Sequence, residues 1–80
     1  MKARFVLKSF SLQAITELGP CSKSQISKKV LKIARESDAL TDDLIFAFRD
    51  IGWGFTELKT EGLIANNGKK GVSCRWFLAV

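Results

Sequence analysis

The sequence contains no histidine and no tyrosine, one proline, and two cysteines, Cys21 and Cys74, that lie far apart. Histidine is the commonest metal ligand and the commonest general base near neutral pH, so its absence removes the usual chemistry of metal sites and acid–base catalysis. A zinc site on two cysteines would need carboxylates in an unusual role. We expect two reduced thiols, with a Cys21–Cys74 disulfide left open, and neither enzymatic activity nor a cofactor.

Long apolar runs are also missing, since no stretch approaches the ~20 residues that a membrane helix needs. The basic first residues imitate the start of a signal peptide, but Lys8 and Glu17 interrupt the apolar segment that secretion requires. The composition, 46% hydrophobic and 26% charged, is that of a folded globular chain. We therefore expect a single cytoplasmic domain over residues 1–80, with no membrane partner.

Two helices are predicted in the first half of the chain. Apolar residues at helical spacing predict the first helix from Phe5 to Leu18, and Gly19-Pro20 ends it because proline cannot donate the next helical hydrogen bond. The segment Ser22-Lys23-Ser24-Gln25 fits a capping box, so a second helix is expected from there to about Arg35.

A third helical segment begins at Thr41, which is a suitable N-cap. Asp42 and Asp43 follow it, and we interpret them as first-turn acids favoured by the helix dipole rather than as a catalytic carboxylate pair. The apolar period continues to Gly62, a suitable C′ residue. Two glycines inside the segment favour a division into two helices near residues 47–50.

After Gly62 the pattern changes from helical to alternating. Leu63-Ile64-Ala65 predicts a short strand, residues 66–71 have the composition of a turn, and Asn67-Gly68 within them is a strong hairpin signal. Residues 72–80 predict a second strand, in which alternate residues from Val72 to Val80 face the core. The expected fold is therefore α+β, a winged helix–turn–helix with a three-helix core followed by a C-terminal β-hairpin wing.

Three stretches resemble the N-terminal winged-helix domains of Mrr-type restriction endonucleases: Ile51-Gly52-Trp53-Gly54, the segment from Leu58 to Leu63, and Lys69-Lys70-Gly71-Val72. The resemblance covers the second half of the chain, and the first half agrees only in the order of its elements. Gly54 stands where that family usually has alanine, and no nuclease domain follows in this sequence. The resemblance implies the fold and a DNA-binding ancestry, without cleavage.

Positive charge is concentrated in the first forty residues, which hold eight basic and three acidic side chains, whereas the last forty hold five of each. Lys28, Lys32 and Arg35 share one face of the second helix. That face is either a ridge that contacts DNA phosphates or a merely solvated surface. Ser22 and Lys23, at the start of the same helix, are suited to hold a phosphate.

The third helical segment is where a winged helix usually reads base edges. Arg49, Thr56 and Thr60 on its outer face suit bases or phosphates, whereas the neighbouring acidic residues argue against an anionic partner. The same face carries Phe46 and Trp53. These aromatic side chains either pack under the wing or on the N-terminal segment, or they form a docking surface for a protein partner or a second copy.

The predicted function is that of a small DNA-binding protein, a transcriptional or replication regulator of phage or mobile-element type, with double-stranded DNA as partner and no small-molecule substrate. The alternative is a protein-interaction module that uses Phe46, Trp53 and Glu57. The two wing lysines either follow a DNA groove or only make the turn soluble. The residues expected to contact DNA are Ser22, Lys23, Lys28, Lys32, Arg35, Arg49, Thr56, Thr60, Lys69 and Lys70.

Overall fold

The computed structural model describes residues 2–79 and has the expected α+β class, with helices first and an antiparallel hairpin last. Short 3-10 turns at Phe48–Asp50 and Gly71–Ser73 join neighbouring elements. No helix in the described part of the chain is long and apolar enough to cross a membrane. The elements are α1 (Lys2–Leu18), α2 (Lys23–Glu36), α3 (Asp42–Ala47), α4 (Ile51–Thr60), β1 (Ile64–Asn66) and β2 (Trp76–Leu78).

Helix α1 is the centre of the fold, because it packs against α2, α3, α4 and β2. Its inner face contributes Leu7, Ala14 and Ile15 to the core. Ser11 is also fully buried there, and its hydroxyl donates to the Leu7 carbonyl at 2.7 Å, which satisfies the buried polar group. The helix begins at Lys2 rather than at the predicted Phe5, and its first turn contacts α4 through Arg4 and Phe5, which pack on Trp53.

Helix α2 begins with the predicted capping box, which is confirmed. The Gln25 amide donates to Ser22 Oγ at 3.2 Å, and the Ser22 amide donates to Gln25 Oε1 at 2.8 Å. Thr41 caps α3 with a single bond, in which its hydroxyl oxygen accepts from the Leu44 amide at 3.2 Å. Both helix starts are therefore fixed by local side-chain chemistry.

The predicted division of the third helical segment is confirmed, because the 3-10 turn at Phe48–Asp50 separates α3 from α4. Gly54 faces α1 so closely that a Cβ there would lie 3.3 Å from Lys8 Cα. At the end of α4, Gly62 has φ +78°, and the Leu63 amide donates to the Leu58 carbonyl at 3.0 Å. Gly62 is thus the predicted C′ residue.

The hairpin pairs Ile64 with Leu78 and Asn66 with Trp76. Cys21 forms an additional bridge to Trp76, with the Cys21 amide 3.0 Å from the Trp76 carbonyl and the Trp76 amide 2.7 Å from the Cys21 carbonyl. Cys21, just before α2, is therefore hydrogen-bonded directly to β2.

The turn predicted over residues 66–71 lies in the connection between the strands, but that connection is longer than expected and runs from residue 67 to residue 75; we call it the hairpin loop. Within it Val72 lies in a 3-10 turn and is 91% exposed, so the predicted strand fails over residues 72–75. The predicted inward Val80 lies outside the described residues. Asn67 bonds across this loop with both its backbone and its side chain. Its amide donates to the Arg75 carbonyl at 3.1 Å, Nδ2 donates to the Ser73 carbonyl at 2.9 Å, and Oδ1 accepts from the Arg75 amide at 3.2 Å.

Candidate nucleic-acid interface

A groove of about 410 Å³ separates the start of α2 from the hairpin loop, and we refer to it as the α2–loop groove. Residues 22–25 form one wall, and Gly71, Val72 and Arg75 form the other. The bridge between Cys21 and Trp76 adjoins both walls in sequence, so the backbone fixes their separation. Each wall carries one basic side chain, Lys23 on the helix and Arg75 on the loop.

Arg75 is held against the loop by hydrogen bonds from its Nη1 to the carbonyls of Val72 and Cys74. These bonds leave the other guanidinium nitrogen atoms able to donate to a ligand. Cys21 beside the groove is buried, and both cysteines are free thiols. Burial raises the pKa of the Cys21 thiol, partly offset by the Arg75 guanidinium, so this sulfur is neutral at pH 7 and adds no negative charge to the groove.

Lys23 connects the groove to α4. Its Nζ lies 3.7 Å from the point where a Cβ on Gly52 would stand, so the ammonium group lies over that glycine. Thr56 follows Gly52 by one helical turn, and its hydroxyl donates to the Gly52 carbonyl at 3.0 Å. The structure therefore places Lys23 and Thr56 on neighbouring positions of one surface. Thr60, one further turn along, is exposed.

The basic residues of α2 share one exposed face. Lys28, Lys32 and Arg35 are all exposed opposite the buried stripe of the helix. Lys32 also lines a cleft of about 260 Å³ between α1 and α2, and Glu17 and Glu36 line the same cleft. The three basic residues therefore lie together, with acidic groups beside Lys32.

Trp53 packs against α1. The Arg4 guanidinium carbon lies 4.1 Å from the centre of the indole ring, and the Phe5 ring meets Trp53 edge-on with centroids 5.5 Å apart. This arrangement corresponds to one of the two predicted alternatives, packing on the N-terminal segment. Glu57, half-buried one turn later, lies toward the same side of α4.

Phe46 does not share that environment, since it is 62% exposed on α3. The Arg49 guanidinium lies over its ring, 5.6 Å from the centroid. Phe46 and Trp53 therefore have different neighbours. Phe46 lies with Arg49 at α3 and the turn after it, whereas Trp53 packs on Arg4 and Phe5 of α1.

Lys69 and Lys70 are exposed on the hairpin loop, as expected. Arg75 is not among the residues predicted to contact DNA, because the alternating pattern places it on the outer face of a strand. One feature of the sequence could have indicated Arg75 as a site residue. It is the third basic residue of the glycine- and asparagine-rich stretch that begins at Asn66.

Comparison of the chain with protein-family models, with curated proteins and with solved structures found no match. Its function is accordingly inferred from the chemistry of the surface described above.

Proposed function

We propose that the chain is a winged-helix domain that binds double-stranded DNA and acts in transcriptional or replication control. The order of helices followed by a hairpin supports this proposal, as does the strand-like bridge of Cys21 to β2. The observation that carries it is the α2–loop groove, because its two walls supply Lys23 and Arg75 on either side of a space large enough for a phosphate group.

Further basic side chains lie beyond the groove. Lys28 and Arg35 are exposed farther along α2, on a face turned roughly 120–140° from Lys23, and at a rise of 1.5 Å per residue Arg35 lies roughly 18 Å beyond Lys23 along the helix axis. Lys69 and Lys70 extend along the hairpin loop. Two separate basic arms suit a duplex, which offers two phosphate strands, and charge neutralisation with counterion release would supply most of the affinity.

The acidic residues of the third helical segment repel DNA phosphates less than their number indicates, because some of them lie toward α1. Glu61 forms an ion pair with Lys8 of α1, with Nζ and Oε2 2.9 Å apart. Glu57 lies toward α1 as well, so the part of α4 beside the groove presents Gly52, Thr56 and the exposed Lys59. In this proposal Thr56 and Thr60 are the candidates for contacts with bases, whereas Arg49 lies beside the acidic α3 and is excluded from the interface.

Fluorescence anisotropy with a labelled random-sequence duplex tests the proposal. Binding should weaken steeply between about 0.05 M and about 0.2 M salt, with a logarithmic slope proportional to the number of phosphates contacted. The double variant Lys23→Ala/Arg75→Ala should lower that slope by roughly 2, and Lys69→Ala/Lys70→Ala should lower it similarly.

Lys29→Ala is the matched control, since Lys29 Nζ lies 3.6 Å from Glu17 Oε1 in the α1–α2 cleft, away from the groove. Its slope should equal that of the wild type. A duplex that does not bind, or that binds with no dependence on salt, would overturn the proposal.

A further inference from the structure

Helix α3 and the turn that follows it present an ordered set of four outward side chains, which we call the α3 stripe: Asp42, Ile45, Phe46 and Arg49. Their spacing of i, i+3, i+4 and i+7 places them on one face. The opposite face is the buried one, formed by Leu44 and Ala47. Ile45 is 52% exposed and Phe46 is 62% exposed, so two large apolar side chains stand side by side in solvent.

The two ends of the stripe carry opposite charges. Asp42 is the negative end, Arg49 is the positive end, and the two apolar side chains lie between them. Among the side chains that the structure describes, neither Asp42 nor Arg49 takes part in an ion pair. Arg49 lies over the Phe46 ring, which keeps its charge at the edge of the apolar pair. A surface with this order of groups is complementary to itself when reversed.

We propose that the α3 stripe is the contact surface for a second copy of this chain, with the two α3 helices antiparallel about a two-fold axis. The axis passes midway between Ile45 and Phe46, so each Ile45 meets Phe46 of the second copy. The same axis places Asp42 opposite Arg49 of the second copy, because both residues lie equally far from the midpoint. Such a contact is isologous, so the ion pair between Asp42 of one copy and Arg49 of the other forms at both ends of the interface.

The residues beside the stripe agree with this arrangement. Reversal about the same axis places Asp43 opposite Phe48 of the second copy, and Asp50 opposite Thr41. No two like charges face each other, although the segment from 42 to 50 contains three acids and one base. A foreign partner would have to supply this antiparallel pattern, whereas a second copy contains it already.

Two properties of the chain set the strength of the dimer. The apolar centre is small compared with the ~800 Å² per partner of a standard interface, which predicts a weak and reversible association. The net charge of +5 on each chain opposes close approach, so the dimer requires salt that screens this repulsion.

Sedimentation equilibrium of the full chain, from about 10 μM to about 1 mM at roughly 0.15 M salt, tests the proposal. The wild type should pass from monomer to dimer across this range. Phe46→Ser should remain monomeric, with an unchanged circular dichroism spectrum because Phe46 lies outside the core. A wild-type chain that stays monomeric at the highest concentration overturns the proposal and leaves the stripe to another protein.

Charge exchange distinguishes this dimer from nonspecific association. Asp42→Arg alone and Arg49→Asp alone should each weaken self-association about tenfold or more, since like charges then face each other. An equimolar mixture of the two variants should form a heterodimer. The stripe of the first variant then has a positive charge at both ends and that of the second a negative charge at both ends, so opposite charges meet at each end of the contact.

Asp43→Arg is the matched control for these variants. It makes the same change of net charge at a neighbouring first-turn acid that lies beside the stripe, so it should dimerise markedly better than Asp42→Arg. Failure of the mixture to associate, or a loss of the dimer in Asp43→Arg equal to that in Asp42→Arg, would contradict the proposed geometry.

Discussion

Lys8 and Glu61 form an ion pair between α1 and the residue that follows α4, with Nζ 2.9 Å from Oε2. The side chain of Lys8 is 18% exposed and that of Glu61 is 47% exposed, so the pair lies at the edge of the protein rather than in its core. It offsets one negative charge at the end of α4 and links two helices whose paired residues are 53 positions apart in sequence.

A double-mutant cycle on this pair should give a small coupling. Because Glu61 is well exposed, solvent screens the attraction, and we expect about 0.5 kcal/mol from Lys8→Ala, Glu61→Ala and the double variant. Urea denaturation measures the three free energies of unfolding. A coupling that persists unchanged at about 1 M salt would contradict this explanation, because screening should remove most of it.

The two glycines of α4 should respond differently to alanine. Gly52→Ala should raise the free energy of unfolding by about 0.5–1 kcal/mol, because alanine favours the helix and the new methyl group meets only the flexible end of Lys23. Gly54→Ala should show no such gain and a loss of about 1 kcal/mol, because its Cβ meets the α1 backbone at Lys8. Urea denaturation of both variants measures the difference, and equal effects at the two positions would show that α1 and α4 are not so close at Gly54.

Stability should fall at alkaline pH because of Cys21. Burial raises the pKa of this thiol above its value in the unfolded chain, so the folded state retains a proton that the unfolded state releases. The contribution is complete below the unfolded pKa and is lost as the pH rises through the folded one, which places the decline above about pH 8. Thermal or urea unfolding from about pH 7 to about pH 10 should show a shallower decline in Cys21→Ala than in the wild type. Parallel curves would refute this role.

The capping box of α2 should contribute to stability in a position-specific manner. Ser22→Ala removes the acceptor of the Gln25 amide and should lower the free energy of unfolding by about 1 kcal/mol. Ser24→Ala is the control, since Ser24 is an exposed position in the same turn without a capping role. Chemical denaturation of both variants decides the matter, and a loss in Ser24→Ala as large as that in Ser22→Ala would count against the cap.

The features that the sequence predicts correctly are local ones. The cap at Ser22, the cap at Thr41 and the glycine end at Gly62 each depend on residues within one helical turn, and a sequence displays such neighbours directly. The joint between α3 and α4 is predictable for the same reason, because the glycines that weaken one continuous helix lie close to it.

The features that the sequence does not predict are contacts between distant residues. Trp53 and Phe46 share a helical face on a wheel, and the sequence leaves open whether they pack on the N-terminal segment or form a docking surface. Only the structure shows that Trp53 packs on Arg4 and Phe5. Arg75 enters the candidate site because the bridge of Cys21 to β2 brings the loop to α2. The alternation at residues 72–75 predicts a strand, whereas the structure has a 3-10 turn at Gly71–Ser73 and hydrogen bonds from the side chain of Asn67 across the loop.

That side chain has a consequence for binding. Asn67 bonds to Lys69, Ser73 and Arg75, so the backbone of the loop is already ordered when the protein folds. Ordering a flexible loop on binding would forfeit about 1–2 kcal/mol of conformational entropy per residue, and this loop avoids most of that loss. For the proposed DNA binding, Asn67→Ala should lower the affinity, because the loop must then be ordered on binding. It should leave the salt dependence unchanged, because Asn67 is uncharged. The loop would then be preorganised for its ligand, and binding would not require it to close around the ligand from a flexible state.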